Sequence, residues 1–179
     1  MILDALLTFS NGLGGAPQFT DSPTTGTQVS SNVIDLGVIN GIPSYANGGG
    51  ARDIGTGDDP SLKLSAVVTT AFLNGTSLQL TLQGAADNGS GAPGSYTTMW
   101  TGPAVLEATL LVGCQLANID VPRPVPGQAL PCFLRLQYVN VGTHTAGALE
   151  AQIVIDRDDQ VVGITGAYSG YGAGINVAN

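Results

Sequence analysis

Charge is what this chain has least of. Charged residues make up 10% of its 179 positions, against roughly 25% in an ordinary soluble domain. Lys63 is the single lysine and His144 the single histidine, and the net charge is −8. No basic stripe is available to neutralise phosphates, so direct nucleic-acid binding is not expected. Only Cys114 and Cys132 carry thiols. That excludes a disulfide scaffold and a cysteine-based metal knuckle, and leaves two buried free thiols as the expectation, with a single disulfide as the alternative. No apolar run approaches the roughly 20 residues of a membrane-spanning helix. The opening MILDALLTF lacks the charged start and cleavage site of a secretory signal, so a protein made in the cytoplasm and used without secretion is expected. The motifs G-x-S-x-G and GK[ST] are both missing.

What is abundant is glycine, at 26 residues, with 10 prolines and many Thr, Ser, Asn and Gln. Between the turn formers lie short alternating runs, in which one side of a strand is apolar and the other polar. Residues 131–139 place Cys132, Leu134, Leu136 and Tyr138 on one side. Residues 148–156 do the same with Leu149, Ala151, Ile153 and Ile155. The polar stretch 140–147 between them predicts a hairpin loop. Residues 61–72 (Leu62, Leu64, Ala66, Val68) and 76–83 (Leu78, Leu80, Leu82) form a second such pair around Asn74-Gly75, again a hairpin signal. Residues 32–39, with Ile34, Leu36 and Val38 on one face, 95–101 and 114–121 complete about eight strand candidates. Residues 103–112 fit either a short helix starting at Pro103 or a strand. This pattern predicts an all-β jelly-roll sandwich over 32–159. It is preceded by a polar arm over 1–31 and followed by a glycine-rich tail over 160–179. The long glycine-rich loop 40–60 is of a length usually reserved for function or a partner.

Few residues suggest chemistry. His144 lies in VGTHTAG with no nucleophile motif, and an exposed loop position is expected for it. Asp53, Asp58 and Asp59 cluster in RDIGTGDD, a possible hard-cation loop that lacks the EF-hand spacing; solvated charges, or partners for Arg52, are the plainer reading. Asp156, Arg157, Asp158 and Asp159 read as a polar strand stop. The glycine runs at 47–50 and 170–174 continue into no phosphate-binding motif. Trp100 with Tyr96 offers a sugar-stacking platform, while a core aromatic is the more ordinary role for tryptophan. No catalytic, cofactor-binding or metal residue is therefore expected, and an enzyme is not.

Several stretches in order resemble the jelly-roll capsid cement (decoration) proteins of tailed bacteriophages: NVIDLG at 32–37, ARDIG at 51–55, TTAF at 69–72, L-x-L-x-L at 78–82, FLRLQY at 133–138 and TAGALEAQIVIDRD at 145–158. The resemblance covers most of residues 30–159. It implies a homo-oligomer (homodimer or homotrimer) on the outside of the phage head, bridging subunits of the major capsid protein, with no cofactor, nucleic acid or membrane as partner. The arm, the 40–60 loop and the tail are the expected contact segments; the glycine- and tyrosine-rich tail departs from the family's pattern. A carbohydrate-binding jelly-roll module using Tyr96, Trp100 and a cation at Asp53, Asp58 and Asp59 is the alternative.

Overall fold

The structure is a computed structural model that describes residues 7–10, 21–36, 62–122 and 131–155. Among the described residues six strands form: β1 (Thr25–Val29), β2 (Ile34–Asp35), β3 (Leu62–Ala85), β4 (Thr97–Leu106), β5 (Gln115–Asp120) and β6 (Phe133–Ile155). All pair antiparallel in one sheet, ordered β1-β6-β3-β4, with β2 beside β6 and β5 beside β3. The fold is all-β, consistent with a sandwich. The expected loop 40–60, the tail 160–179 and the clusters at Asp53–Asp59 and Asp156–Asp159 lie outside the described residues.

The two predicted hairpins do not exist as hairpins. β3 and β6 each run unbroken and pair with one another along their whole length, from Leu62 opposite Ile155 to Ala85 opposite Phe133. Strand 76–83 therefore does not turn back on 61–72; both belong to β3 and both lie against β6. Alternation signalled the strands correctly, but an Asn-Gly step reads the same in a turn and in a bend. Four register shifts fall together between Val68 and Ser77, and this is where the ribbon bends.

That it folds over on itself follows from length and burial. An extended strand of 24 residues would span roughly 80 Å, whereas a compact chain of this size has a radius of gyration of only about 16 Å. Yet Leu64, Ala66 and Val68 from one half of β3 share a single core with Leu78, Leu80 and Leu82 from the other. Leu134, Leu136 and Tyr138 join Leu149, Ala151 and Ile153 in that same core. Each half thus supplies a layer, flanked by β4, β1 and β2 in one and by β5 in the other. Burying each of these leucines stabilises the fold by roughly 1.5–3 kcal/mol.

The bend is built from a few residues. Asn74 adopts a φ of 66°, a left-handed conformation that asparagine tolerates better than most side chains. Its Nδ2 donates to Thr145 Oγ1 at 2.7 Å across the ribbon. His144 turns inward, 1% exposed, and its ring stands edge-on to Phe72 with centroids 5.1 Å apart. The expected exposed histidine is thus a core residue. The irregular ladder lets β6 shift register here, and the space over Gly75 accepts the ring. A methyl group on Gly75 would collide with the His144 ring, and one on Gly147, at φ 143°, would collide with Phe72.

The expected free arm is also corrected over its described parts. Phe9 is fully buried in the core, and β1 pairs with β6. The chain before β1 acts as a clasp between layers. Phe9 N donates to Ala151 O at 2.9 Å, and Asn32 N donates to Phe9 O at 2.9 Å. Asp21 bridges to Leu149 through two backbone hydrogen bonds of 2.8 Å. Its carboxylate accepts from the Tyr138 hydroxyl at 2.6 Å and from Ser31 N at 3.1 Å. Ser10 Oγ and Ser30 Oγ accept from the Ala151 and Leu136 amides, so serine hydroxyls replace strand acceptors along β6. Polar composition suggested an arm; these polar groups instead satisfy the backbone of an otherwise open strand.

The 103–112 ambiguity resolves as strand followed by a 3-10 turn. Pro103 lies in β4, and Glu107–Thr109 forms the turn. As an outer strand of the sheet, β4 tolerates a residue that cannot donate to a ladder.

Two expected outcomes test this construction. Gly75→Ala should destabilise the protein by at least about 1–3 kcal/mol through overpacking, and by less in a His144→Ala background, as measured by denaturant unfolding of the four-member cycle. Tyr138→Phe should cost about 1–3 kcal/mol by leaving the buried Asp21 carboxylate short of a donor. Burial first, and the Asp21 charge second, hold the Tyr138 phenol well above its ordinary range. In the unfolded chain it ionises near its usual value of about 10. Its stabilising contribution is therefore complete below that pH and lost as pH rises beyond it. Wild-type stability should fall more steeply than that of Tyr138→Phe in alkaline titration.

Candidate interaction surface

The bend leaves an apolar end facing solvent. Leu106 pairs with Ser77, and Ser77 pairs with Val141, so the three lie in one row across β4, β3 and β6. Leu106 is 63% exposed and Val141 53%. The segment after β4 is clipped to the bend by Phe72 N donating to Leu110 O at 3.0 Å and Gly113 N donating to Val68 O at 2.8 Å. Leu110 is buried by this arrangement, while Leu111 and Val112 point outward at 59% and 69% exposure. Leu73, beside Phe72, is half exposed. Five large apolar side chains thus gather near one end of the ribbon. Clustering of this kind on a soluble surface marks a contact site, where isolated exposed apolars would not.

The sheet face running away from this end is neutral. Its successive rows are Ala104–Gln79–Val139–Thr27, then Thr101–Thr81–Gln137–Val29, then Thr98–Gln83–Arg135. Arg135 is the one charge in these rows. Its guanidinium carbon sits over the Tyr96 ring, 3.7 Å from the centroid, and its Nε donates to Gln83 Oε1 at 2.8 Å. Gln83 in turn donates to Gln137 Oε1 at 3.3 Å. Burial raises the Tyr96 phenol, and the neighbouring guanidinium partly offsets the rise. The other half of the ribbon carries Lys63 opposite Asp120, and Glu150 opposite Val67.

Trp100 pairs with Leu82 and packs against the core. Its ring covers Gly102, where a Cβ would stand 2.7 Å from it, and it stays half-buried at the core's edge rather than inside it. Tyr96 contacts Arg135 instead. His144 Nε2 lies 3.5 Å from Ser77 O, and among the described residues its Nδ1 has no partner. Among the described residues the buried Asn140 Oδ1 and Thr69 Oγ1 are also without partners. Among the described residues no group of three His, Cys, Asp or Glu side chains gathers, and no helix is long and apolar enough to cross a membrane. Cys114 and Cys132 are free and half-buried rather than buried, and burial raises the Cys114 thiol.

Sequence reasoning missed the apolar end. Its signal was the run Leu110-Leu111-Val112, which fits neither a period of two nor one of 3.6, so not all three side chains can be buried together. Val139 and Val141, spaced by two on the side opposite Tyr138, were a second signal.

No curated protein matches the sequence. A protein-family match covers residues 20–153, most of the chain and nearly all of the described body, and carries the description Bbp16. The chain belongs to the Bbp16 family.

Proposed function

We propose that this protein is a structural component of a virion. It is a capsid cement or decoration protein that binds the outer surface of a phage head, as a homodimer or homotrimer, and stabilises contacts between major capsid protein subunits. The observation that carries this reading is the solvent-facing group of Leu73, Leu106, Leu111, Val112 and Val141 on a sheet pinned at its bend. A rigid β body with an uncovered apolar end suits docking onto a preformed protein surface. The charge-poor face beside it adds little desolvation cost on contact. Repetition around a shell turns modest single contacts into strong retention. The net charge of −8 repels nucleic acid, as a protein on the outside of a packaged genome requires. The ordered stretches quoted above, from NVIDLG to TAGALEAQIVIDRD, support the same assignment by resemblance.

The described residues lend no support to the carbohydrate reading, whose two aromatic residues have separate partners. The Asp53, Asp58 and Asp59 loop it requires lies outside them.

The test is binding to heads stripped of decoration. Wild-type protein should sediment with heads in fixed stoichiometry and raise the temperature at which they release DNA. Replacing Leu106, Leu111 and Val112 together by Ser should weaken head binding at least about tenfold while shifting the stability of the free protein by about 1 kcal/mol or less, because all three are mostly exposed. Failure of the wild-type protein to associate with heads, together with chelator-sensitive binding on a glycan array, would replace this function with the carbohydrate one.

A further inference from the structure

The loop joining β3 to β4 is a small closed turn at the end of the sheet opposite the bend. Gly94 N donates to Ala86 O at 2.8 Å, Asn88 N donates to Ala92 O at 2.9 Å, and Asp87 bridges to Pro93. Inside it lies the sequence Asp87-Asn88-Gly89-Ser90-Gly91, all exposed. Gly89 N–H donates to Asp87 Oδ1 at 2.6 Å, and Gly91 N–H donates to the same oxygen at 3.1 Å. Asn88 Oδ1 accepts from Ser90 N–H at 2.9 Å and from Ser90 Oγ–H at 2.6 Å.

These contacts have a chemical meaning beyond shaping the turn. The Gly89 nitrogen is the nucleophile that can close a five-membered imide on the Asn88 side chain, and a carboxylate oxygen already holds its proton. The Asn88 amide carbonyl is the electrophile, and two donors already point at its oxygen. A base within hydrogen-bond reach of the proton it removes, and donors aimed where negative charge develops, are the two requirements of acyl-transfer catalysis. Gly89 has a φ of 92°, and nothing lies within 4 Å of where its Cβ would be, so water can reach that side of the turn.

We infer that Asn88-Gly89 is a self-modification site, with Asp87 as general base and Ser90 as oxyanion donor. The Gly89 nitrogen adds to Asn88 Cγ and its proton passes to Asp87 Oδ1. The tetrahedral oxyanion is held by the Ser90 amide and hydroxyl. Asp87 returns the proton to Nδ2, the Cγ–Nδ2 bond breaks and ammonia leaves. Water then opens the imide at either carbonyl, giving aspartate or an isoaspartyl linkage. One water is consumed, one ammonia is released and no electrons are exchanged. The product places a new carboxylate on the loop and, in the isoaspartyl form, lengthens the backbone there.

The chain carries an internal control. Asn74-Gly75 is the same dipeptide, but Asn74 is held in a paired strand with its Nδ2 donated to Thr145 Oγ1 at 2.7 Å. The Asn-Gly pairs at 11, 40 and 47 lie outside the described residues. Full-length protein would be incubated in warm neutral buffer and mapped by peptide mass spectrometry with isoaspartate detection. Asn88 should convert at least about tenfold faster than Asn74. Asp87→Asn, which keeps an acceptor oxygen in place but cannot take the proton, should slow Asn88 at least about tenfold and leave Asn74 unchanged. Ser90→Ala should slow it severalfold. Conversion of Asn88 no faster than that of Asn74, or an unchanged rate in Asp87→Asn, would overturn the assignment.

Discussion

The pairing of β3 with β6 is the constraint on which everything else rests. Two strands of more than twenty residues, paired antiparallel from end to end, are too long to lie flat in a chain of this size. Their apolar alternation demands that both halves be buried. Folding the ribbon across itself satisfies both demands at once, because each half covers the other's apolar face. β4, β5 and β1 then extend each layer, and the clasp from Phe9 through Asp21 to Ser30 ties the layers together at the β6 edge.

The bend that this fold requires has a cost in local geometry. Asn74 sits at positive φ, His144 fills the space that Gly75 leaves open, and Phe72 packs over Gly147. It also has a surface consequence. Strand ladders lose their regular alternation there, and Leu73, Leu106, Leu111, Val112 and Val141 end up exposed. The proposed docking end is in this sense a by-product of how the core closes. The opposite end, where β3 and β4 are joined by a tight polar loop, carries the reactive Asn88-Gly89 step.

Much of this was legible in the residues. Period-two alternation placed Leu64, Leu78, Leu82, Leu136 and Leu149 on the buried side, and all are in the core. The all-β class followed from those runs and the turn formers between them. What alternation does not encode is which strand pairs with which, so Asn74-Gly75 and the 140–147 stretch read as hairpin loops when they are the two sides of one bend. His144 and Phe9 were misread for a related reason. Each sits in a polar or irregular stretch, and each is buried by long-range packing that local pattern cannot reveal. Tyr138 was placed correctly on the inner face, but its bond to Asp21, 117 positions away in sequence, has no local signature. The exposed end was hidden because an apolar residue looks the same in sequence whether it faces a core or a partner.

The folded ribbon can be examined directly by nuclear Overhauser contacts in the free protein. One sample should show cross-strand backbone contacts joining Leu64 to Ile153 and Leu82 to Leu136, with Leu73 opposite Ala146 at the bend. Contacts that instead pair strand 61–72 with 76–83, and 131–139 with 148–156, would mean two local hairpins. The ribbon, its bend and the apolar end that depends on it would then be wrong.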